Sequence, residues 1–306
     1  MKNSKVLIIG GTGFIGNALV KTLEEQGFND VTAVSRSSHG VDVTDLETLL
    51  PFIAMADYVI NLAGHISFHK KDRDEVLKIN NEGSINVLRA CENSDVKKLV
   101  HMSSTASFGF DHDIVTEDTE FDWDKHKNLG YSYSKYLPNK QIHESGLPTN
   151  IIYPPLVIGP DSNVNVDRLI KYVHGKKNVF APPGMNAYID VRDLADAIVR
   201  VLLDAENNEN FIVAKENITF VKLFSAIAEL LGQQSKVRKI PGFLRGPVVG
   251  ISRLLEGVGI SIPSENLFLG FKERKFDSTK ISRLLGFEPK HSYRESLAES
   301  IKGFIS

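Results

Sequence analysis

Gly10-Gly11-Thr12-Gly13-Phe14-Ile15-Gly16 stands directly after the apolar run Lys5 to Ile9 and opens a helix-like stretch reaching Gln26. The apolar run reads as a strand buried on both faces. Glycines at 10, 13 and 16 supply a tight turn, close backbone approach to phosphate and close packing of helix on sheet. The helix N-terminus then offers free N–H donors and a positive dipole end to an anion. With a second strand at Asp30 to Val34 the βαβ unit is complete, and it reads as a dinucleotide pyrophosphate site.

The same alternation continues along the chain, the signature of a doubly wound parallel sheet in a Rossmann-like α/β fold. Strands are expected at Val6 to Ile9, Val31 to Val34, Tyr58 to Asn61, Lys98 to Met102 and Asn150 to Tyr153. Helices are expected at Gly13 to Gln26, Thr44 to Ile53, Lys71 to Asn93 (broken near Asn80-Asn81) and Tyr131 to Glu144. After Pro154 the rhythm fades into a loop-rich stretch with Pro154-Pro155, Gly159-Pro160 and Pro182-Pro183-Gly184. Tyr188 to Val191 reads as a further strand and Asp193 to Leu203 as a helix capped by Asp193. The tail holds helical patterns at Phe220 to Leu231, Thr279 to Leu285 and Arg294 to Phe304. Residues 1–160 with 187–215 are therefore expected to bind the nucleotide, and 161–186 with 216–306 to form a smaller, discontinuous C-terminal substrate-binding part.

An acidic residue about twenty positions past the glycines would grip the ribose diol of NAD. Here the second strand ends Val34-Ser35-Arg36-Ser37-Ser38. A guanidinium among hydroxyls suits a 2′-phosphate, so NADP is favoured and NAD is the alternative. Arg36 as a solvated strand-end residue is the plainer reading.

The 306 residues carry 36 Lys and Arg against 38 Asp and Glu, a formal charge of -2, so nucleic acid or an anionic membrane is not expected on whole-chain charge. A small-molecule partner is expected instead. The single cysteine, Cys91, reads as a small buried hydrophobe and fits a reducing, cytoplasmic setting. The first residues show no signal-peptide pattern, and no stretch reads as a membrane span. The nine histidines show no ligand spacing, so no metal is expected.

Tyr131-Ser132-Tyr133-Ser134-Lys135 sets a tyrosine and a lysine on one helical face. A nearby ammonium is expected to lower the phenol pKa, making Tyr131 a proton donor or acceptor near neutrality. His101-Met102-Ser103-Ser104-Thr105 ends the fourth strand, where Ser104 is placed to hydrogen-bond a substrate oxygen.

Taken together, these motifs resemble the extended short-chain dehydrogenase/reductases over nearly the whole chain, most of all the dihydroflavonol-reductase, 3-beta-hydroxysteroid-dehydrogenase and epimerase-like branch. The resemblance matches Gly10, Gly13, Phe14, Ile15 and Gly16 to the glycine motif and Asp42-Val43 to the adenine contact. It matches Leu62, Ala63 and Gly64 to the Asn-x-Ala-Gly strand end, and Pro154 and Val157 to the cofactor-amide loop. It implies that Ser104, Tyr131 and Lys135 are catalytic, that Lys135 also bonds the nicotinamide ribose, and that Asn80 supports a proton relay through water. Tyr153 stands where the family usually has Arg or Asn, and Phe108 replaces the tyrosine common in sugar epimerases.

The expected activity is hydride transfer between NADP and a small carbonyl or alcohol. A nucleotide-sugar epimerase with tightly held NAD is the alternative, and a non-catalytic nucleotide sensor or assembly subunit the third reading. The resemblance also implies a homodimer packed through the helix bearing Tyr131. The segments 108–127, 161–184 and 240–271 are expected around the substrate. The last carries Phe243, Leu244, Val248, Val249, Ile251, Leu254, Leu255, Val258, Ile260 and Ile262, which suit either a lid over an apolar substrate or a helix packed on the domain.

Overall fold

A computed structural model describes residues 2–161, 164–257 and 264–305, which leaves Val258, Ile260 and Ile262 outside the described residues. The chain opens with β1 (Val6–Ile9), α1 (Phe14–Glu25) and β2 (Val31–Val34), followed by α2 (Arg36–His39), α3 (Leu46–Ile53) and β3 (Tyr58–Asn61). The expected break near Asn80 is a π-helical turn, Lys78–Glu82, inserted between α4 (Arg73–Leu77) and α5 (Gly83–Glu92). Then come β4 (Lys98–Met102), β5 (Ile114–Val115), α6 (Gly130–His143) and β6 (Thr149–Tyr153).

Beyond Pro154 lie β7 (Leu156–Ile158), α7 (Val164–Val173), β8 (Asn178–Ala181), β9 (Met185–Asp190), α8 (Val191–Asp204) and β10 (Glu209–Ile212). The chain ends with β11 (Glu216–Thr219), α9 (Phe220–Leu230), β12 (Lys236–Lys239), α10 (Arg245–Gly257), α11 (Ser264–Gly270), β13 (Lys275–Phe276), α12 (Thr279–Leu285) and α13 (Tyr293–Ile305).

The main sheet has the order β10-β6-β4-β3-β1-β2, with every pair parallel. Alternation along β1 explains its two covered faces. Leu7 and Ile9 pack with Leu49, Val87 and Cys91 on one side, while Val6 and Ile8 pack with Leu19, Leu23 and Ile198 on the other. Cys91 is fully buried and its thiol is pushed up to about 12 by burial, as suits a small core residue. A separate core joins Tyr188, Ile170, Leu223, Ile227 and Leu297 in the C-terminal half.

Two expectations are corrected here. The helix after β9 is capped by Asp190, which accepts from the Arg192 amide at 2.8 Å. Asp193 is buried one turn further on and accepts from the Lys290 and His291 amides and from the His291 ring instead, tying α8 to the tail. The stretch 161–184 also holds α7 and β8, whose apolar positions Val166, Ile170, Val173, Val179 and Ala181 are all buried.

Candidate active site

The glycine turn is built for close approach. Gly10 has a φ of 80°, and a Cβ there would stand 2.8 Å from the Ala63 amide nitrogen, so the ends of β1 and β3 meet backbone to backbone. A Cβ on Gly16 would stand 2.4 Å from the Gly11 carbonyl oxygen, which keeps α1 against the turn. Gly13 is the N-cap of α1 and offers no side-chain cap to the first-turn amides around Phe14 and Ile15.

At the end of β2, Ser35 caps α2 and gathers hydroxyls around itself. Its Oγ lies 2.8 Å from Thr12 Oγ1, 3.1 Å from Ser37 Oγ and 2.9 Å from Ser38 Oγ. Arg36 extends into solvent with Nη1 4.0 Å from the Asp42 carboxylate. Amide and hydroxyl donation from Thr44 holds that carboxylate below its usual range, with a smaller contribution from Arg36. Val43 is buried beneath Gly83, where a Cβ would come within 2.5 Å of it.

Tyr131 and Lys135 lie one turn apart on α6, both buried. Ser104 sits at the carboxyl end of β4, accepting from the Ala106 amide at 3.2 Å, and its hydroxyl interacts with the phenol. Ser103 Oγ donates to the Lys135 carbonyl at 3.1 Å and so fastens β4 to α6. The expected lowering of the tyrosine is reversed: burial pushes Tyr131 up to about 12, against a smaller opposing effect of Ser104. Lys135 directs its ammonium to the Met102 carbonyl at 3.1 Å, and burial brings it down to about 8.

Gly64 completes this corner, since a Cβ there would stand 3.0 Å from Lys135 Nζ and 3.2 Å from Asn80 Oδ1. Asn80, in the π turn, accepts from the His65 amide at 2.7 Å and donates to the His65 carbonyl and Ser134 Oγ, both at 2.9 Å. Both its amide protons are thus engaged, and it clamps the loop after β3 to α6. Leu62 continues β3 with its amide on the Ile9 carbonyl at 2.8 Å. Pro154 is buried after β6 and its carbonyl accepts from the Thr105 amide at 3.1 Å, while Val157 lies half-buried in β7. Tyr153 is buried, its ring 4.6 Å from that of Phe108.

Sequence reasoning missed Glu265. This buried α11 carboxylate accepts from the Ser132 amide at 3.2 Å and the Ser132 hydroxyl at 2.8 Å, and it also receives the Tyr131 and Gly130 amides. It caps the helix that carries Tyr131 from 133 residues away in sequence, and no local pattern announces such a cap. Around it lies a cavity of about 170 Å³ lined by Phe68, His69, Leu129, Arg253, Glu265 and Phe268, and the Phe68 ring stands 4.9 Å from that of Tyr131. An aromatic cluster of Phe110, Phe121, Trp123 and Phe268 continues beside it. Among the described residues no group of three or more His, Cys, Asp or Glu side chains is arranged to hold a metal.

A parallel sheet with a glycine turn at its carboxyl edge and a buried Ser-Tyr-Lys group beside that turn defines a nicotinamide-nucleotide enzyme of Rossmann type. The chain belongs to the NAD dependent epimerase/dehydratase family, whose model matches residues 6–214. It is 25% identical to a putative dihydroflavonol 4-reductase from Synechocystis sp., over 97% of this chain and 93% of the relative. It is also 25% identical to N-acetyl-alpha-D-glucosaminyl-diphospho-ditrans,octacis-undecaprenol 4-epimerase of Escherichia coli O157:H7, over 91% and 89%. Its fold is shared by RMD from Pseudomonas aeruginosa, solved with NADPH (TM-score 0.74, 16% identity, 98% and 99% covered). The dTDP-glucose 4,6-dehydratase DesIV from Streptomyces venezuelae, solved with NAD, shares it as well (TM-score 0.78, 17% identity, 98% and 97% covered).

Proposed function

We propose that the protein is an NADP-dependent oxidoreductase that interconverts a small carbonyl compound and its alcohol. The observation that carries this reading is the convergence of Ser104, Tyr131 and Lys135 next to the glycine turn. The cofactor fits: Gly10 and Gly16 pack the turn and α1 tightly enough for backbone approach to a phosphate, and the first-turn amides of α1 have no side-chain cap of their own. When bound, the nicotinamide supplies or accepts the hydride at the substrate carbon.

The chain's own residues do the rest. Ser104 orients the substrate oxygen, and Tyr131, kept protonated by burial, gives its proton to that oxygen during reduction and recovers one from solvent afterwards. Below about 8 the Lys135 ammonium adds positive charge beside the site, favouring the phenolate that remains. Arg36 and the Ser35, Ser37 and Ser38 hydroxyls support a 2′-phosphate. Residues 1–160 and 187–215 are assigned to the cofactor, and 161–186 and 216–306 to the substrate. The aromatic wall of Phe68, Phe110, Trp123 and Phe268 supports an apolar substrate. A cytoplasmic homodimer packed through α6 completes the reading.

Tyr131→Phe tests it against a panel of apolar ketones and aldehydes. Turnover with NADPH is expected to fall by about 10³-fold while NADPH affinity changes less than about twofold. Equal loss of both contradicts the assignment. The likeness to the undecaprenol-linked 4-epimerase favours a second reading, epimerisation with NAD held through the whole cycle, which cofactor retention during purification separates from the first.

A further inference from the structure

Helix α10 carries apolar residues on both of its faces. Val249 and Ser252 are buried on the inner one, and Glu256 on that side reaches His69 Nδ1 at 3.9 Å, next to Phe68 and so one residue from the ring that covers Tyr131. The outer face repeats the helical spacing a second time. Phe243, in the 3₁₀ turn Gly242–Leu244, is followed by Pro247, Ile251 and Leu254, all exposed, with Phe243 82%, Ile251 57% and Leu254 75% accessible. Arg245 and Arg253 beside this stripe are exposed too, while Arg253 also lines the cavity at Glu265 and Arg245 lies over the Phe268 ring at 6.0 Å.

The strand leading into the helix adds more of the same. β12 pairs with β8, placing exposed Arg238 opposite exposed Phe180, with Lys176, Lys177, Lys236 and Lys239 around them. Among the described residues twelve large apolar or aromatic side chains are exposed, and six of them lie in residues 164–181 and 236–257. These two segments hold nine Lys or Arg and two acids, which leaves 27 basic against 36 acidic side chains elsewhere. The whole-chain charge of -2 conceals this division, and an expectation drawn from it does not apply locally.

We propose that the surface formed by β8, β12 and the outer stripe of α10 docks onto an anionic lipid bilayer. Apolar side chains flanked by cations on long stems suit the headgroup boundary, where the stripe enters and the Lys and Arg heads remain with lipid phosphates. Two copies of a face carrying Lys176, Lys177, Lys236, Arg238, Lys239 and Arg245 repel each other, so pairing with a second copy is disfavoured. Phe243 and Phe180 are single rings set apart among aliphatic Ile251 and Leu254, a mixture that suits insertion at acyl chains better than a run of stacked bases. A protein-binding core is depleted in lysine, which this face is not. Docking concerns the protein's surface and does not depend on which reaction Tyr131 serves.

Flotation of the full chain with phosphatidylcholine vesicles, with and without phosphatidylglycerol, tests the proposal. The wild type is expected to float only with the anionic vesicles and to be released by high salt. Arg238→Glu with Lys239→Glu, both exposed on β12 and away from the Tyr131 site, is expected to weaken partition by roughly twentyfold or more, at about fivefold per cation. Phe243→Ser with Leu254→Ser is expected to weaken it by about tenfold, with melting temperature and NADPH binding unchanged in both variants. Failure of the wild type to float at low salt overturns the proposal, as does flotation that neither pair of substitutions alters. Self-association in sedimentation velocity, or binding of a single-stranded RNA, that Phe243→Ser with Leu254→Ser abolishes while vesicle binding persists also overturns it, by assigning the face to another occupant.

Discussion

Tyr131 and Lys135 share one helical face, and burial moves them in opposite directions, the phenol up to about 12 and the ammonium down to about 8. Burial penalises whichever form is charged, so each group is driven toward neutrality. At neutral pH the phenol is a proton donor and the lysine is mostly charged; above about 8 the lysine loses its proton. The kcat/KM for carbonyl reduction is therefore expected to decline above about 8, and Lys135→Arg to move that limb to higher pH. A limb that stays in place under this substitution places the titration elsewhere. Arg36 makes a separate prediction at the other end of the cleft. Arg36→Ala is expected to weaken NADPH binding by roughly tenfold or more while NADH binding changes little, as isothermal titration would show.

At the scale of elements, two carboxylates decide how helices are seated. Asp190 is fully buried, and although burial pulls its pKa upward, bonds from Arg192 and Ser296 hold it below the usual range. Asp190→Ala removes the cap of α8 and leaves Arg192 to Glu299 alone, and is expected to cost about 3 kcal/mol in chemical denaturation. A loss under about 1 kcal/mol contradicts that role. Glu265→Ala frees the Gly130, Tyr131 and Ser132 amides from α11, so kcat is expected to fall with NADPH affinity retained, and Glu265→Gln to recover part of it. Full activity in Glu265→Ala contradicts the positioning role.

The elements that sequence reading recovers best are those whose signal is local. β1 is wholly apolar, β3 and β4 each hold three consecutive or near-consecutive apolar or aromatic residues, and the glycines of the turn announce a geometry that other residues cannot take. β10, reading Glu-Asn-Phe-Ile at the sheet edge, buries only Phe211 and Ile212 and gives too short a pattern to read. Asp193 and Asp190 are both plausible caps three residues apart, and only the fold shows that the tail claims Asp193. Glu265 depends on a partner far away in the chain, and the tyrosine shift depends on burial, neither of which spacing encodes.

Over the whole molecule, the parallel sheet brings the glycine turn, Ser104 and the Tyr131 helix to one edge, and the C-terminal half adds Glu265 and Phe268, the latter joining Phe68, Phe110 and Trp123 in an aromatic wall. The remaining segments gather cations and exposed apolar groups away from an otherwise acidic chain. The central claim is that this edge serves an exchangeable NADP. Mass spectrometry of small molecules released from the purified, denatured protein, paired with NADPH and NADH titration of the emptied protein, tests it most directly. The account predicts little retained cofactor and a clear preference for NADPH. Near-stoichiometric retained NAD would contradict the role given to Arg36 and favour the epimerase.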